Sequence, residues 1–172
     1  MRRPMLSVCI SLVSLAAAVT SAAAESATLP TRKAGLWELK TSMDEGGGPR
    51  DQTMKLCIDA DMERSTAAAS LTDHKEKCTR YDIKKDGDAV VIEGECTYDI
   101  RKVSSTTRMT GDFKSAFDVK IESVTSGSET NRDQTTSVKR TITQKGTYLA
   151  ESCGDLKAGE AEGSDGARFL VQ

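Results

Sequence analysis

The chain has 172 residues, of which 24 are basic and 26 acidic, and only 4% are aromatic. A formal net charge of −2 excludes the basic surface on which nucleic-acid affinity rests. The shortage of rings leaves Val, Ile, Leu and Met to build the core, and the length predicts a single domain.

Arg2 and Arg3 precede an apolar run from Met5 to Val19, followed by small residues from Ser21 to Ala24. This is the layout of a secretory signal peptide. The run is shorter than the ~20 residues of a membrane-spanning helix, and Ala22-Ala23-Ala24 suits cleavage after Ala24. Residues 1–24 are therefore set apart from the fold, Cys9 with them, and the product is expected to be periplasmic or secreted. Cleavage removes two of the 24 bases and none of the 26 acids, so the mature charge becomes −4. No second apolar segment offers a transmembrane span.

From Ala34 to Met43 apolar and polar residues alternate, with Trp37, Leu39 and Met43 on one side. A period of two is that of a strand with one buried face. Gly46, Gly47, Gly48 and Pro49 interrupt it. Gln52 to Ile58 resumes with Met54, Leu56 and Ile58 inward, as in a long-looped hairpin. Residues 59–77 lose the alternation; an Ala-rich centre after Asp59 or Asp61 predicts a short helical segment, a turn or two, and loop. Then Tyr81 and Ile83 alternate up to Asp86-Gly87, a dipeptide suited to a tight hairpin. The return strand, Ala89 to Arg101, has the clearest pattern of the chain, with Val90, Ile92, Gly94 and Cys96 on one face and Glu93, Glu95 and Thr97 on the other. A two-residue turn at Asp86-Gly87 pairs Ile83 with Val90 and Tyr81 with Ile92.

Two further strands follow, with Val103, Met109 and Phe113 sharing one parity and Phe117, Val119 and Ile121 the next. Ser126 to Gln134 reads as a loop. Val138 and Ile142 mark a Thr-rich strand, and Gly146 precedes a short Tyr148-Leu149 segment reaching Cys153. Residues 154–172, rich in Gly, Ala and acids, are read as a disordered tail; Phe169, Leu170 and Val171 are its only docking candidates. The sum is an all-β fold, an antiparallel meander of about seven or eight strands curled into a barrel-like or sandwich form, with the domain proper at residues 25–153.

An even count of cysteines in an exported chain predicts disulfides, with three connectivities open to Cys57, Cys78, Cys96 and Cys153. Cys57 and Cys78 have outward parity and Cys96 inward parity. Parity favours Cys57 with Cys78 and Cys96 with Cys153, while a bridge from Cys78 to Cys96 requires a bulge.

Gly35-Leu36-Trp37-Glu38 after a leader, the MKLCI segment, CTRYDI before a hairpin into EGEC, and a last cysteine in SCGD together resemble an exported bacterial family, domain of unknown function 3617. The likeness covers about Arg32 to Gly154. It implies a periplasmic or secreted, mostly β domain, with no activity or catalytic residues to carry over. The Thr-, Ser- and charge-rich stretch from Ser104 to Thr143 departs from the family pattern.

Chemistry-bearing residues are few. His74 is the only imidazole and reads as a solvated loop residue rather than the base of a nucleophilic site. Glu93 and Glu95 lie on the solvent face of their strand. Asp59 and Asp61, with Asp44 and Glu45 elsewhere, lack the glycine and distal acid of a calcium loop. Cysteines without close spacing and a single His make no zinc site. No catalytic, cofactor or metal residues are expected. Trp37 is assigned to the core and Gly87 to the turn. The expected function is a non-enzymatic binding protein of the bacterial envelope, carrying a small apolar ligand in a barrel-like pocket. The alternative is an interaction module of the periplasm, without a pocket, that binds an envelope protein.

Overall fold

The computed structural model describes residues 28–128 and 135–171. In chain order the elements are β1 (Gly35–Asp44), β2 (Arg50–Ile58), α1 (Ala60–Lys77), β3 (Cys78–Asp86), β4 (Ala89–Tyr98), β5 (Arg101–Gly111), β6 (Ala116–Ser128), β7 (Thr135–Ala150), β8 (Glu160–Gly163) and β9 (Arg168–Leu170). All nine strands join one antiparallel sheet in the order β3-β4-β5-β6-β7-β1-β2-β8-β9. The sheet is open: β3 and β9 are its edges, and it is not closed into a barrel. The predicted leader lies outside the described residues, as do residues 129–134 of the predicted loop, whereas 126–128 continue β6.

The alternation read along each strand becomes rows across the sheet. Tyr81, Gly94 and Ser105 stand side by side, then Ile83, Ile92, Thr107 and Ile121, then Val90, Met109 and Val119. Phe117, Gly146, Leu39 and Met54 continue the pattern toward β2. The core gathers Trp37, Leu39, Leu56, Ile58, Phe113, Phe117 and Ala161. Trp37 is fully buried, with ring centroids 5.4 Å from Phe117 and 5.5 Å from Tyr148. Its indole N–H donates to the Lys33 carbonyl at 2.8 Å, so the polar tip is satisfied as burial requires.

Gly146 sits inside a continuous 16-residue β7, not at the head of a separate Tyr148-Leu149 segment as its sequence suggested. The Phe117 ring lies over its bare backbone, and a Cβ there would stand 2.1 Å from Phe117 Cε1. Gly146→Ala is therefore expected to cost about 1–3 kcal/mol by overpacking. Urea denaturation checks this, and adding Phe117→Leu should recover part of the loss, as coupled neighbours do.

The helix is longer than expected, 18 residues rather than a turn or two. Asp59 caps it, accepting the Met62 N–H at 2.6 Å. Asp61 and Glu63 occupy the first turn, and His74, Lys75 and Lys77 the last, each sign complementing the helix dipole. Ala67, Ala68 and Ala69 favour the conformation. What concealed the helix is the lack of an apolar stripe: its one buried side chain is Glu63.

Gly87 is the turn glycine, with φ of 60°, but the turn residues are Gly87 and Asp88, because Asp86 pairs with Ala89. Ile83 thus faces Ile92, and Tyr81 faces Gly94. Gly87 takes the first central position, where the tight hairpin turns demand positive φ. The two-residue slip leaves the side chains from Arg80 to Asp86 on their expected faces.

The disulfides are Cys57–Cys153 and Cys78–Cys96, correcting the pairing favoured by parity. A bulge between Cys78 and Arg80 inserts one residue and turns Cys78 to the side of Cys96. Cys57, buried on the opposite face from Leu56, meets the connection that leaves β7, and its carbonyl accepts the Gly159 N–H at 2.9 Å.

Residues 154–171 are not a disordered tail. β8 pairs with β2, Leu56 opposite Ala161, and β9 pairs with β8. Without them β2 would present an open edge of unpaired donors and acceptors. Ala161 is fully buried, and the small residues that suggested disorder are what lets this hairpin lie close to Leu56. The domain accordingly extends well past Cys153.

Candidate functional site: a cavity between helix and sheet

α1 and the segment before β1 cover part of the sheet's apolar face, leaving a cavity of about 390 Å³. That is within the ~300–1,000 Å³ typical of small-molecule sites. The sheet supplies its floor through alternate residues: Ile92 from β4, Thr107 and Met109 from β5, Val119 and Ile121 from β6, and Gln144 from β7. The helix supplies Glu63, Ser70 and His74, spaced so that all three share one side. Leu29, Pro30 and Arg32 form the remaining wall.

The phenyl wall is placed by the β5–β6 loop. Asp112 Oδ1 accepts the backbone N–H groups of Ser115 at 2.8 Å, Lys114 at 2.9 Å and Ala116 at 3.1 Å. Those bonds, that from Ser115 foremost, hold its carboxyl well below the usual carboxylate range. The loop so fixed keeps Phe113 at a φ of 55°, with its ring stacked on Phe117 at 5.2 Å between centroids.

Arg32 and Glu63 close one border. Glu63 Oε1 accepts the Arg32 backbone N–H at 2.8 Å and Nε at 3.0 Å, while Oε2 accepts Nη2 at 2.7 Å. Their side chains are 19% and 9% exposed. A pair this buried is weak evidence for stability, but it pins the first turn of a helix that has no apolar face to hold it down. A second groove of about 480 Å³ lies beyond, formed by Leu39, Met54, Met62, Phe169 and Leu170, and it shares Arg32 and Gln144 with the first.

His74 is a half-buried helical residue, correcting its reading as a solvated loop side chain. Its ring stacks on Tyr81 with centroids 4.2 Å apart, and Nδ1 lies 2.5 Å from the Ser70 carbonyl oxygen. A nitrogen bonded to a carbonyl must carry the proton. Nδ1 is thereby occupied and cannot serve as base to the Ser70 hydroxyl, 3.3 Å away. Burial pushes the Tyr81 phenol up, the neighbouring Tyr98 adds to the shift, and a bond to Ser70 partly opposes it.

The other acids singled out in the sequence are engaged outside the cavity. Glu93 pairs with Arg80 and with Lys84 at 3.1 Å, and Glu95 is 3.8 Å from Arg80, all on the solvent face. Asp59 is the helix cap and Asp61 pairs with Arg64. Asp44 Oδ1 accepts the N–H groups of Gly46 and Gly48, and Glu45 binds Arg50 and Arg140. Among the described residues no group of three or more His, Cys, Asp or Glu is gathered to hold a metal ion, and no helix is long and apolar enough to cross a membrane. Trp37 lies in the core beneath Phe117, as expected. Arg32, Glu63, Ser70 and Gln144 are site residues that no local pattern marks, since they meet through the fold; Arg32 and Glu63 are 31 positions apart.

No curated protein and no solved structure matches the chain. A family model of proteins of unknown function, DUF3617, matches residues 32–153, most of the nine-stranded domain, and the chain belongs to that family.

Proposed function

We propose that this protein is an exported, non-enzymatic binding protein of the bacterial envelope that holds a small apolar ligand between α1 and the sheet. The observation that carries the reading is the cavity of about 390 Å³ floored by Ile92, Met109, Val119 and Ile121 and walled by Phe113 and Phe117. Apolar walls with a few placed polar groups are the common form of a ligand site. Export is supported by the leader pattern of residues 1–24 and by two disulfides, which persist in oxidising compartments. The same two features support a periplasmic or secreted location. The non-enzymatic reading is supported by the ion pairs that engage the acids and by the occupied Nδ1 of His74.

Native mass spectrometry of the mature protein, purified gently from the periplasm and compared with the same sample denatured, tests this. The expected spectrum carries a discrete extra mass that denaturation removes. A bare protein mass that also stays unchanged after incubation with dodecanol would overturn the reading in favour of an interaction module without a ligand.

A further inference from the structure

The cavity is graded from one end to the other, and the grading specifies the ligand more closely. Along the strands the rows run from Tyr81, Gly94 and Ser105, through Ile92, Thr107 and Ile121, to Met109 and Val119, and end at Phe117. Those rows extend about 20 Å at the rise of an antiparallel strand. At the first end lie hydroxyls and an imidazole: Ser105 and Thr107 from the sheet, with Ser70 and His74 from the helix and the Tyr81 ring stacked on His74. At the other end the walls are Met109, Val119 and the two stacked phenyl rings, with a single uncharged amide, Gln144, in register beside Val119. The charges at the border, Arg32 and Glu63, are closed on each other.

From this grading we infer that the site takes a single-chain amphiphile with an uncharged, hydrogen-bonding head, its head at Ser105 and Thr107 and its chain directed toward Phe113 and Phe117. The head has hydroxyl partners there in Ser105 and Thr107, with Ser70 across from them on the helix, while Nδ1 of His74 is occupied by the Ser70 carbonyl. Among the described lining residues the carboxylate and the guanidinium, Glu63 and Arg32, already neutralise each other, and a buried charge without a partner is costly. Gly94 assists: a Cβ at that position would lie 3.3 Å from Ser105 Oγ, so its absence keeps the hydroxyl accessible.

This inference rests on the apolar-ligand reading above, and the experiment separates the two. Mature protein is titrated by calorimetry with monolauroylglycerol, dodecanoate and dodecylamine, which share chain length and differ in head charge, each below its micelle-forming concentration. The neutral probe is expected to bind at least about tenfold tighter than either ion. In a Ser105→Ala, Thr107→Val double variant that preference should shrink by about tenfold, as two hydrogen bonds of ordinary strength would produce. The melting temperature of the double variant reports whether it is folded, and Thr107→Val alone provides the milder test. Equal affinity for all three probes, or tighter binding of an ion, overturns the uncharged-head inference and leaves the apolar cavity standing. No binding of any probe, with a bare native mass, overturns both.

Discussion

Trp37→Ala is expected to lower the unfolding free energy by about 3–5 kcal/mol, the range for removing a large aromatic side chain from a core. The indole is fully buried where β7, β1 and β2 meet, between Tyr148 and Leu56, with the Phe117 ring against it. Its removal opens a cavity beneath the two phenyl rings that wall the candidate site, so both stability and ligand retention should fall. Trp37→Phe separates the contributions: it preserves much of the packing but loses the indole bond to the Lys33 carbonyl, worth about 1 kcal/mol in net terms. Guanidinium denaturation of the three proteins should therefore rank them wild type, Phe variant, Ala variant. An alanine variant within experimental error of the wild type would show that Trp37 is not central to the core.

Loss of the Cys57–Cys153 bridge should be more damaging than loss of Cys78–Cys96. The first closes a sequence separation of 96 residues and the second one of 18. On the chain-entropy account loops of these sizes give about 4–5 and about 3 kcal/mol. Cys153→Ser is thus expected to destabilise more than Cys96→Ser, each by an amount within about 2–5 kcal/mol. Both bridges also flank the helix: Cys57 lies two residues before the cap at Asp59, and Cys78 is the C-terminal capping residue. Either variant should therefore loosen the roof of the cavity as well as the fold. Non-reducing proteolysis with mass mapping gives an independent check, with peptides linked as Cys57 to Cys153 and Cys78 to Cys96. Recovery of Cys57 linked to Cys78 would overturn the arrangement.

The two bridges explain how a helix without an apolar stripe stays on an apolar sheet. Its ends are tied covalently through neighbouring cysteines, its first turn is held by Arg32 on Glu63, and its last turn rests through His74 on Tyr81. Ties of this kind leave space between roof and floor that a well-packed amphipathic helix would fill. The cavity is the consequence, and ligand binding is the use proposed for it.

What the sequence determined by itself is what depends on neighbours a few positions apart. Alternation along β1, β2, β4, β5 and β6 assigned strand and face, so Trp37, Leu39, Leu56, Ile92 and Phe117 were legible as buried, and Glu93 and Glu95 as solvent-facing. Gly87 was legible as a turn residue because positive φ is a local demand. Tertiary structure decided whatever depends on partners distant in the chain. The bulge at Thr79 reversed the pairing of the cysteines, and the Phe117 ring lying over its backbone accounts for Gly146. The open edge of β2 recruited a C-terminal hairpin whose composition alone predicts disorder. The long helix escaped detection for the same reason that it matters: its packing side is polar and its anchors lie elsewhere in the chain. Strand periodicity is a repeated local signal that one residue after another reinforces, whereas a cavity is a gap between segments, and its size is set only when those segments are tied in place.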